Sequence, residues 1–295
     1  MDNLELGVVL GEGAWGSVRV AKHKYTEKYY AVKIMSKYGL IKEKQADHAK
    51  NELEIFRSLD HPFIVNYRSF EQDSRCIYMV QDFVRGGEFY TLLKQKQRLD
   101  VDATRFFAAQ LVIFFGYLHS NKIVYRDLKP ENILVDKTGY LKVIDFGLSK
   151  KIYKKTYTIC GTPHYIAPEI LKQEGYSFET DWYTLGVVLY EILTGLLPFN
   201  GETHNDLFNN ITNGKLRFPL NFDKDAKRLI IGLMKKDPTE RYGLSKIMGS
   251  KFFKDVDFDK IKNRNLEPPY FPSVKKDGDT SNFKDIKVSM LNSEN

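Results

Sequence analysis

The stretch Tyr125-Arg-Asp-Leu-Lys-Pro-Glu-Asn132, followed by Asp145-Phe-Gly147, decides how this chain of 295 residues is interpreted. The two segments place an Asp, a Lys, an Asn and a second Asp at separations that suit transfer of a phosphoryl group to a hydroxyl. An Asp can accept the proton of that hydroxyl, and a Lys can balance the charge of the moving group. Asn and Asp oxygens suit the hard cation Mg²⁺. The pattern therefore indicates phosphoryl-transfer chemistry.

Upstream, the segment Gly11-Glu-Gly-Ala-Trp-Gly16-Ser-Val18 has the form G-x-G-x-x-G-x-V. Glycines at this spacing let backbone N–H groups approach phosphate oxygens, because no Cβ stands in the way. The same glycines can open a dinucleotide-binding unit, but a helix must then follow them. Here Ser17-Val-Arg-Val-Ala21 alternates like a strand, which favours a hairpin over nucleotide phosphates. An ordinary glycine-rich hairpin is the alternative.

The next strand carries a candidate phosphate ligand in Ala31-Val-Lys33. Alternation places Ala31 and Lys33 on one face of the strand and Val32 on the other. A strand lysine is usually at the surface, so a functional role for Lys33 requires a carboxylate partner. Glu52, on the helix that follows, can supply one.

Hydrophobic periodicity divides the chain into a strand-rich part and a helical part. Up to about residue 80 apolar residues alternate, and one predicted helix, from about Glu43 to Leu59, interrupts them. After Gly86-Gly87, helical periodicity covers segments 88–95, 101–120, 179–195, 204–213 and 223–236. From Phe253 the chain is polar and contains prolines, so it is either disordered or laid across the body.

We therefore predict an α+β fold in three parts. A small, mostly β lobe with one main helix covers residues 1–83, and a larger, mainly helical lobe covers residues 84–253. The remaining residues, 254–295, form a C-terminal tail.

Composition excludes several classes of protein. The content of 42% hydrophobic residues with a net charge of +7 excludes disorder and collagen. Lysines are interleaved with acids instead of forming one stripe, so no nucleic-acid partner is expected. The longest apolar stretches, such as Leu111-Val-Ile-Phe-Phe115, fall short of the roughly 18 residues of a membrane span, and none is expected. Two distant cysteines, Cys76 and Cys160, suit a reducing compartment, the cytoplasm or the nucleus.

Taken together with Ala167-Pro-Glu169 downstream, these motifs resemble a eukaryotic protein kinase of the AGC group. The resemblance covers residues 4–291 and is strongest to the cyclic-AMP- or cyclic-GMP-dependent kinases. It implies the bilobal protein kinase fold and a Ser/Thr protein kinase that uses ATP and Mg²⁺. It also implies an ion pair between Glu169 and a buried arginine, here Arg241.

The resemblance implies a role for each catalytic residue. Asp127 would be the base, Lys129 would neutralise the γ-phosphate, and Thr162 would bond both. Asn132 and Asp145 would hold two Mg²⁺ ions.

A larger set would contact the nucleotide by the same resemblance. In it the glycines and Val18 cover the phosphates, Lys33 orients them while paired with Glu52, and backbone groups of Asp82 and Val84 bind adenine. The full set is Leu10, Gly11, Gly13, Gly16, Val18, Ala31, Lys33, Glu52, Asp82, Val84, Leu134 and Phe283. Phe283 would close over adenine from the tail, unless the tail is unstructured.

Similarity to this group also implies basic peptide substrates with arginine two and three residues before the target. Glu88 would accept the earlier arginine, and Glu131 and Glu191 the later one, although solvated surface carboxylates are the alternative. The residue after the target would enter an apolar pocket lined by Ile159, Pro163 and Ile166.

Regulation follows the same resemblance. Thr158 is expected to be an activating phosphosite because His48, Arg126 and Lys150 resemble the cations that surround such a residue, and Ser289 is a second candidate phosphosite. A cyclic-nucleotide-binding regulatory subunit or domain outside this chain is a possible partner.

Several positions depart from the family pattern, and two of them concern the nucleotide and substrate sites. Gln81 is polar where these kinases usually have an apolar residue, and His164 replaces a glutamate. Two other functions compete with that of a Ser/Thr kinase: a pseudokinase scaffold, disfavoured because Lys33, Asp127 and Asp145 are present, and a small-molecule kinase, disfavoured by Cys160-Gly-Thr-Pro163.

Overall fold

A computed structural model describes residues 1–13 and 16–283, and its first part is a five-stranded antiparallel sheet. The strands, in the sheet order β1-β2-β3-β5-β4, are β1 (Leu4–Gly13), β2 (Gly16–His23), β3 (Tyr29–Ser36), β4 (Tyr67–Gln72) and β5 (Cys76–Asp82). Alternation of apolar residues was therefore a sound guide to this region.

The single helix predicted from about Glu43 to Leu59 is wrong at its start. The predicted range contains one helix, α2 (Ala46–Ser58), which begins three residues later than expected, and a separate short helix that was not predicted, α1 (Lys37–Lys42), precedes it. Lys44 between them has a φ of 55°, in the left-handed region, which a continuous α-helix does not allow. The residues that carried the helical periodicity all lie in α2, so the pattern was correct for that helix alone.

The second part is mainly helical, as predicted. Its helices are α3 (Phe89–Lys96), α4 (Val101–Ser120), α5 (Pro168–Leu171), α6 (Glu179–Thr194), α7 (His204–Asn213), α8 (Lys224–Leu233), α9 (Leu244–Met248) and α10 (Phe258–Lys262). Four short strands accompany them, β6 (Ile123–Val124), β7 (Ile133–Val135), β8 (Leu141–Val143) and β9 (Lys150–Lys151). The predicted bilobal α+β fold is confirmed, while the residue boundaries of the three parts stay predictions.

Helix α4 bears on the prediction that the chain has no membrane span. It is long and apolar enough, by length and composition, to cross a membrane, although the longest unbroken apolar runs are shorter. However, 67% of its apolar window is buried inside the protein, where α4 packs against α6. A buried core helix passes the same test, so α4 is weak evidence for a membrane span.

The described part of the tail lies against the body, so the alternative of an unstructured tail is wrong for residues 254–283. The side-chain amide of Asn282 donates to the carbonyl oxygens of Arg85 (3.1 Å) and Ser273 (2.8 Å). Gly87 has a φ of 80°, and a Cβ there would lie 2.4 Å from the carbonyl oxygen of Asn282. Only glycine permits this close approach of tail and body.

Candidate active site

The glycine-rich segment forms the predicted hairpin. Gly11 lies opposite Val18 and Gly13 opposite Gly16 in the β1–β2 register, while Ala14 and Trp15 lie outside the described residues. A Cβ on Gly16 would come within 1.8 Å of the carbonyl oxygen of Ile34, so β2 can pack on β3 there only with glycine. At Gly11 a Cβ would meet no described atom within 4 Å.

Apolar residues predicted to contact adenine come together beside this hairpin. Leu10 and Ala31 are buried in one small cluster, and Val18 and Phe283 pack against it. The ring of Phe283 stacks on Phe83, with 5.7 Å between the centroids. The tail therefore completes this apolar wall.

Three more residues that are predicted to contact adenine lie in neighbouring elements. Asp82 is the last residue of β5, and the buried Val84 lies two residues further along the chain. Leu134 is a buried residue of β7. Leu134 also forms a backbone bridge with Glu88. Adenine contacts by these residues stay a prediction.

Lys33 lies between two carboxylates. Its ammonium is 2.5 Å from Glu52 Oε1, on α2, and 3.5 Å from Asp145 Oδ1. Burial alone would lower the pKa of Lys33, but the charges of Asp145 and Glu52 outweigh that effect and raise it. Conversely, the Lys33 ammonium holds the pKa of Asp145 below its usual value, against the effect of burial. Lys33 is therefore charged and fixed in place.

The expected catalytic residues form a connected group. The Thr162 hydroxyl donates to Asp127 Oδ1 (2.8 Å) and accepts a hydrogen bond from Lys129 Nζ (2.8 Å). Lys129 Nζ also lies 3.1 Å from Asp127 Oδ2. The side-chain amide of Asn132 donates to the same Oδ2 at 2.9 Å. Asp127 is thus held from three sides.

The proposed metal ligands face the same cleft. A cavity of about 90 Å³ is lined by Val18, Lys33, Asn132, Asp145 and Gln81 among others. Among the described residues no group of three or more His, Cys, Asp or Glu side chains could hold a metal ion by itself. Two protein oxygens, one from Asn132 and one from Asp145, nevertheless fit Mg²⁺, because that ion usually completes its shell with water and substrate phosphates.

Asp181, at the start of α6, was missed by the sequence analysis. Its carboxylate accepts backbone N–H bonds from Tyr125 (3.0 Å) and Arg126 (2.9 Å) and lies 2.8 Å from His119 Nε2. It therefore anchors the chain immediately before Asp127. In the sequence, Asp181 is only one of two acidic residues in the first turn of a predicted helical segment, and this position gives no indication of its partners.

The predicted acceptors of peptide arginine lie in part together. Glu191 Oε2 accepts a hydrogen bond from the Tyr165 hydroxyl at 2.7 Å. Burial, together with the neighbouring Glu131 carboxylate, raises the pKa of Glu191 in spite of that bond. Glu131 Oε2 is buried and has no hydrogen-bond partner among the described residues. Glu88 precedes α3 as its N-cap.

Thr158 is exposed, and the contacts of the predicted cations link one of them, Arg126, to it through Tyr176. Arg126 donates to the Tyr176 hydroxyl at 3.0 Å, and that hydroxyl donates to the Thr158 carbonyl at 2.6 Å. Lys150 instead donates to Thr156 Oγ1 at 3.1 Å. Exposed His48 lies on α2.

Residues of the predicted apolar pocket differ in exposure. Ile159 is exposed, Pro163 is half-buried and Ile166 is buried. The pocket stays a prediction, as does phosphorylation of Ser289, which lies outside the described residues.

The expected ion pair downstream is present and deeply buried. Arg241 donates to Glu169 Oε1 at 2.7 Å and to Oε2 at 2.9 Å. Its guanidinium also bonds the carbonyl oxygens of Glu179 and Lys235. This pair ties α5 to the segment before α9.

A two-lobed fold with a lysine–glutamate pair, a glycine-rich hairpin and a linked Asp-Lys-Thr-Asn group defines a protein kinase. Residues 4–253 match the family model described as protein kinase domain, and the chain belongs to that family.

Similar proteins specify the group. They include the "cAMP-dependent protein kinase, catalytic subunit-like" of Caenorhabditis elegans, 38% identical over 97% of this chain and 73% of its own length. Another is the cAMP-dependent protein kinase catalytic subunit PRKX of Mus musculus, 39% identical over 96% of this chain and 81% of its own. A third is the serine/threonine-protein kinase akt-1 of C. elegans, 39% identical over 96% and 54%. The chain is a serine/threonine protein kinase of the AGC group, as the sequence indicated.

The share of each relative that this chain covers varies. It spans 50% of the Drosophila melanogaster cAMP-dependent protein kinase catalytic subunit 3 and 43% of the Dictyostelium discoideum catalytic subunit. These relatives therefore contain further sequence that this chain does not match.

Proposed function

We propose that this kinase transfers the γ-phosphoryl group of ATP, with Mg²⁺, to Ser or Thr in peptides that carry arginine two and three residues before the target. Asp127 would accept the hydroxyl proton, and Lys129 would lie beside the transferred group. Asn132 and Asp145 would hold Mg²⁺, which when bound offsets the negative charge of the phosphates. Their joint position at one cleft with Lys33 supports this proposal.

The nucleotide preference is supported by the space and the apolar wall around the cleft. Open space beside Gly11 leaves room for a ligand above the hairpin. The cluster of Leu10, Ala31, Val18 and Phe283 offers a flat base an apolar surface, and the fixed charge of Lys33 lies deeper in the cleft. A pseudokinase would not need Asp127 held in place by Thr162 and Asn132.

The preference for arginine rests on one observation: the buried Oε2 of Glu131, beside Glu191, has no hydrogen-bond partner within residues 1–13 and 16–283. A buried acceptor without a partner is costly, and two close carboxylates repel each other. A guanidinium would satisfy both, because it donates several hydrogen bonds in a planar fork. We assign this pair to the arginine two residues before the target, and Glu88 to the arginine three residues before it.

The test combines enzyme variants with matched peptides. Glu131→Gln and Glu191→Gln are assayed for kcat/KM on a peptide with Arg or Ala two residues before the target. We expect wild type to prefer arginine by about ten- to hundredfold, the value of one charged hydrogen bond, and each variant to lose most of that preference. Glu174→Gln, an exposed change on the same lobe, should keep it. Equal preference in all four enzymes would contradict the assignment, while phosphorylation of neither peptide would contradict the proposed activity.

Activation by phosphorylation of Thr158 is the second part of the proposal. Thr158 is exposed, whereas its neighbour Thr156 is buried and its backbone pairs with Tyr176. A phosphate adds about −1.5 to −2 charge. Arg126, the residue before Asp127, is linked to the backbone of Thr158 through the Tyr176 hydroxyl, which bonds both. We expect Thr158→Ala to lower kcat/KM more than tenfold and Thr26→Ala, in an exposed turn, to leave it unchanged. Undiminished activity of Thr158→Ala would remove this part.

A partner is suggested by the names of the relatives. Several of them are catalytic subunits of cAMP-dependent kinases by name, so we propose a cyclic-nucleotide-binding regulatory subunit or domain as partner. The proposed location, the cytoplasm or the nucleus, rests instead on the free cysteines Cys76 and Cys160, which suit a reducing compartment. Co-purification with such a subunit, lost on adding cyclic nucleotide, would support the partner.

A further inference from the structure

A second cavity, of about 590 Å³, has none of the proposed catalytic or metal-binding residues in its lining, although Asp82 and Val84, whose backbone groups are predicted to bind adenine, border it. It is bordered by the segment that joins β5 to α3, by the starts of β3 and β4, by the turn between β7 and β8, and by the tail. Six of its lining residues are basic: Lys28, Arg68, Arg85, Lys137, Lys142 and Arg264. We call this space the basic cavity.

Its three acidic lining residues neutralise only half of this charge, because each pairs with one of the three arginines. The pairs are Asp82–Arg68, Asp136–Arg264 and Asp277–Arg85. Arg68 holds both carboxylate oxygens of Asp82, at 2.6 and 2.7 Å. The three lysines are the surplus charge.

Within residues 1–13 and 16–283, none of these lysines forms an ion pair. Lys28 and Lys137 are exposed, whereas Lys142 is half-buried and donates to the carbonyl oxygen of Ile64 at 3.0 Å. Burial, and then the nearby Arg264, lowers the pKa of Lys142. A half-buried ammonium beside a guanidinium, with no carboxylate bonded to it, is an environment that an anion would stabilise.

The lysines also come from separate elements. Lys28 precedes β3, Lys137 lies in the turn after β7, and Lys142 is on β8. A single small anion cannot neutralise charges that border a space of this size, which is within the roughly 300–1,000 Å³ typical of small-ligand sites. Several linked anionic groups could do so, and phosphates accept hydrogen bonds from lysine and arginine alike.

We propose that the basic cavity binds a small polyanion carrying two or more phosphate groups. An inositol polyphosphate free in solution and the headgroup of a phosphoinositide share this chemistry. Because Asp82–Arg85 line the cavity together with residues of the tail, the ligand would hold the tail, the β5–α3 segment and the β7–β8 turn together. The inference does not depend on the proposed substrate.

Calorimetric titration with inositol hexakisphosphate tests the proposal, with a non-hydrolysable ATP analogue and Mg²⁺ present throughout so that the nucleotide cleft is filled. We expect one equivalent to bind, more weakly as salt is raised. The double variant Lys28→Gln, Lys137→Gln should bind at least tenfold more weakly, and so should Lys142→Gln. The matched control Lys251→Gln, Lys254→Gln removes two exposed lysines elsewhere and should change affinity less than twofold.

Equal affinity of the double variant and its control for the probe would overturn the proposal. Lys28 and Lys137 are both exposed, so this comparison remains valid even if Lys142→Gln does not fold. Binding of the probe only in a parallel titration without the ATP analogue would overturn it as well, since the probe would then occupy the cleft. Vesicles with and without phosphatidylinositol bisphosphate separate the two sources. Lysine-dependent binding to the free probe or to phosphoinositide vesicles supports the proposal; binding to neither, or equal binding to phosphatidylserine vesicles, overturns it.

Discussion

Removal of the Thr162 hydroxyl tests whether this side chain positions the base and its neighbouring lysine. The hydroxyl donates to Asp127 Oδ1 and accepts from Lys129 Nζ, both at 2.8 Å. In Thr162→Ala both bonds are lost at once, whereas Asn132 still holds the other oxygen of Asp127. The base is therefore expected to remain present but less well oriented.

The size of the effect follows from these bonds. A hydrogen bond to a charged group contributes about 1.5–3 kcal/mol, and each 1.36 kcal/mol of transition-state free energy is about tenfold in rate. If one such bond is fully expressed in the transition state, kcat of Thr162→Ala falls about 10- to 150-fold. KM for ATP should change less than about twofold, because Lys33 and the apolar wall are untouched.

Steady-state kinetics on one basic peptide, for wild type, Thr162→Ala and Thr162→Ser, measures this. Thr162→Ser keeps the hydroxyl and should keep kcat within about threefold of wild type. Thermal unfolding of all three proteins separates loss of activity from loss of fold. A Thr162→Ala enzyme that is folded and has kcat within threefold of wild type would refute the reasoning, and so would an equal loss in Thr162→Ser.

Three further changes have expected outcomes. Asp127→Asn should lower kcat by about 10²–10⁴, and a variant that keeps more than a tenth of wild-type kcat in the peptide assay would show that the base is misassigned. Arg241→Met leaves Glu169 buried and unpaired, so urea unfolding should show a loss of about 3–5 kcal/mol, and an unchanged midpoint would contradict this. Burial, with Lys262 nearby, lowers the pKa of His61 to about 4, so the unfolded chain binds a proton that the folded protein does not. The free energy of unfolding should therefore fall by up to about 3 kcal/mol as pH drops from about 6.5 to 4, and His61→Gln should lack this part of the slope.

Much of what could be predicted from the sequence came from the spacing of residues within short motifs. The catalytic segment and the glycine-rich hairpin are short, and their residues are fixed relative to one another by one turn or one strand. Glu52 was suggested as a partner of Lys33 because it lies on the next predicted helix, whereas the pair Glu169–Arg241 was expected only because the motifs resemble a known family. No single-sequence periodicity would have paired residues 72 positions apart.

The errors concern contacts that local patterns do not determine. Asp181 bonds backbone groups 55 and 56 residues earlier in the chain, and the sequence around it indicates only the start of a helix. Lys150 donates to Thr156 Oγ1, a contact that the sequence did not indicate, and its predicted place among the cations around Thr158 stays a prediction. The start of α2 was placed too early because the residues before Ala46 are compatible with a helix, whereas the backbone turns at Lys44.

The sequence of the tail did not decide between a disordered segment and one laid across the body, and the contacts of the tail explain why. Its described residues show no hydrophobic periodicity because they form no long helix or strand. Separate side-chain contacts hold them against the body. Asp277 pairs with Arg85, Asn282 bonds the carbonyl oxygen of the same Arg85, and Phe283 stacks on Phe83. All three contacts fall on the segment that joins β5 to α3, and none requires a pattern in the tail itself. A polar, proline-bearing sequence is therefore compatible with an ordered position, provided that the segment beneath it supplies the partners. Since that segment also contains the predicted adenine-binding residues, the tail and the nucleotide cleft depend on the same short stretch of backbone.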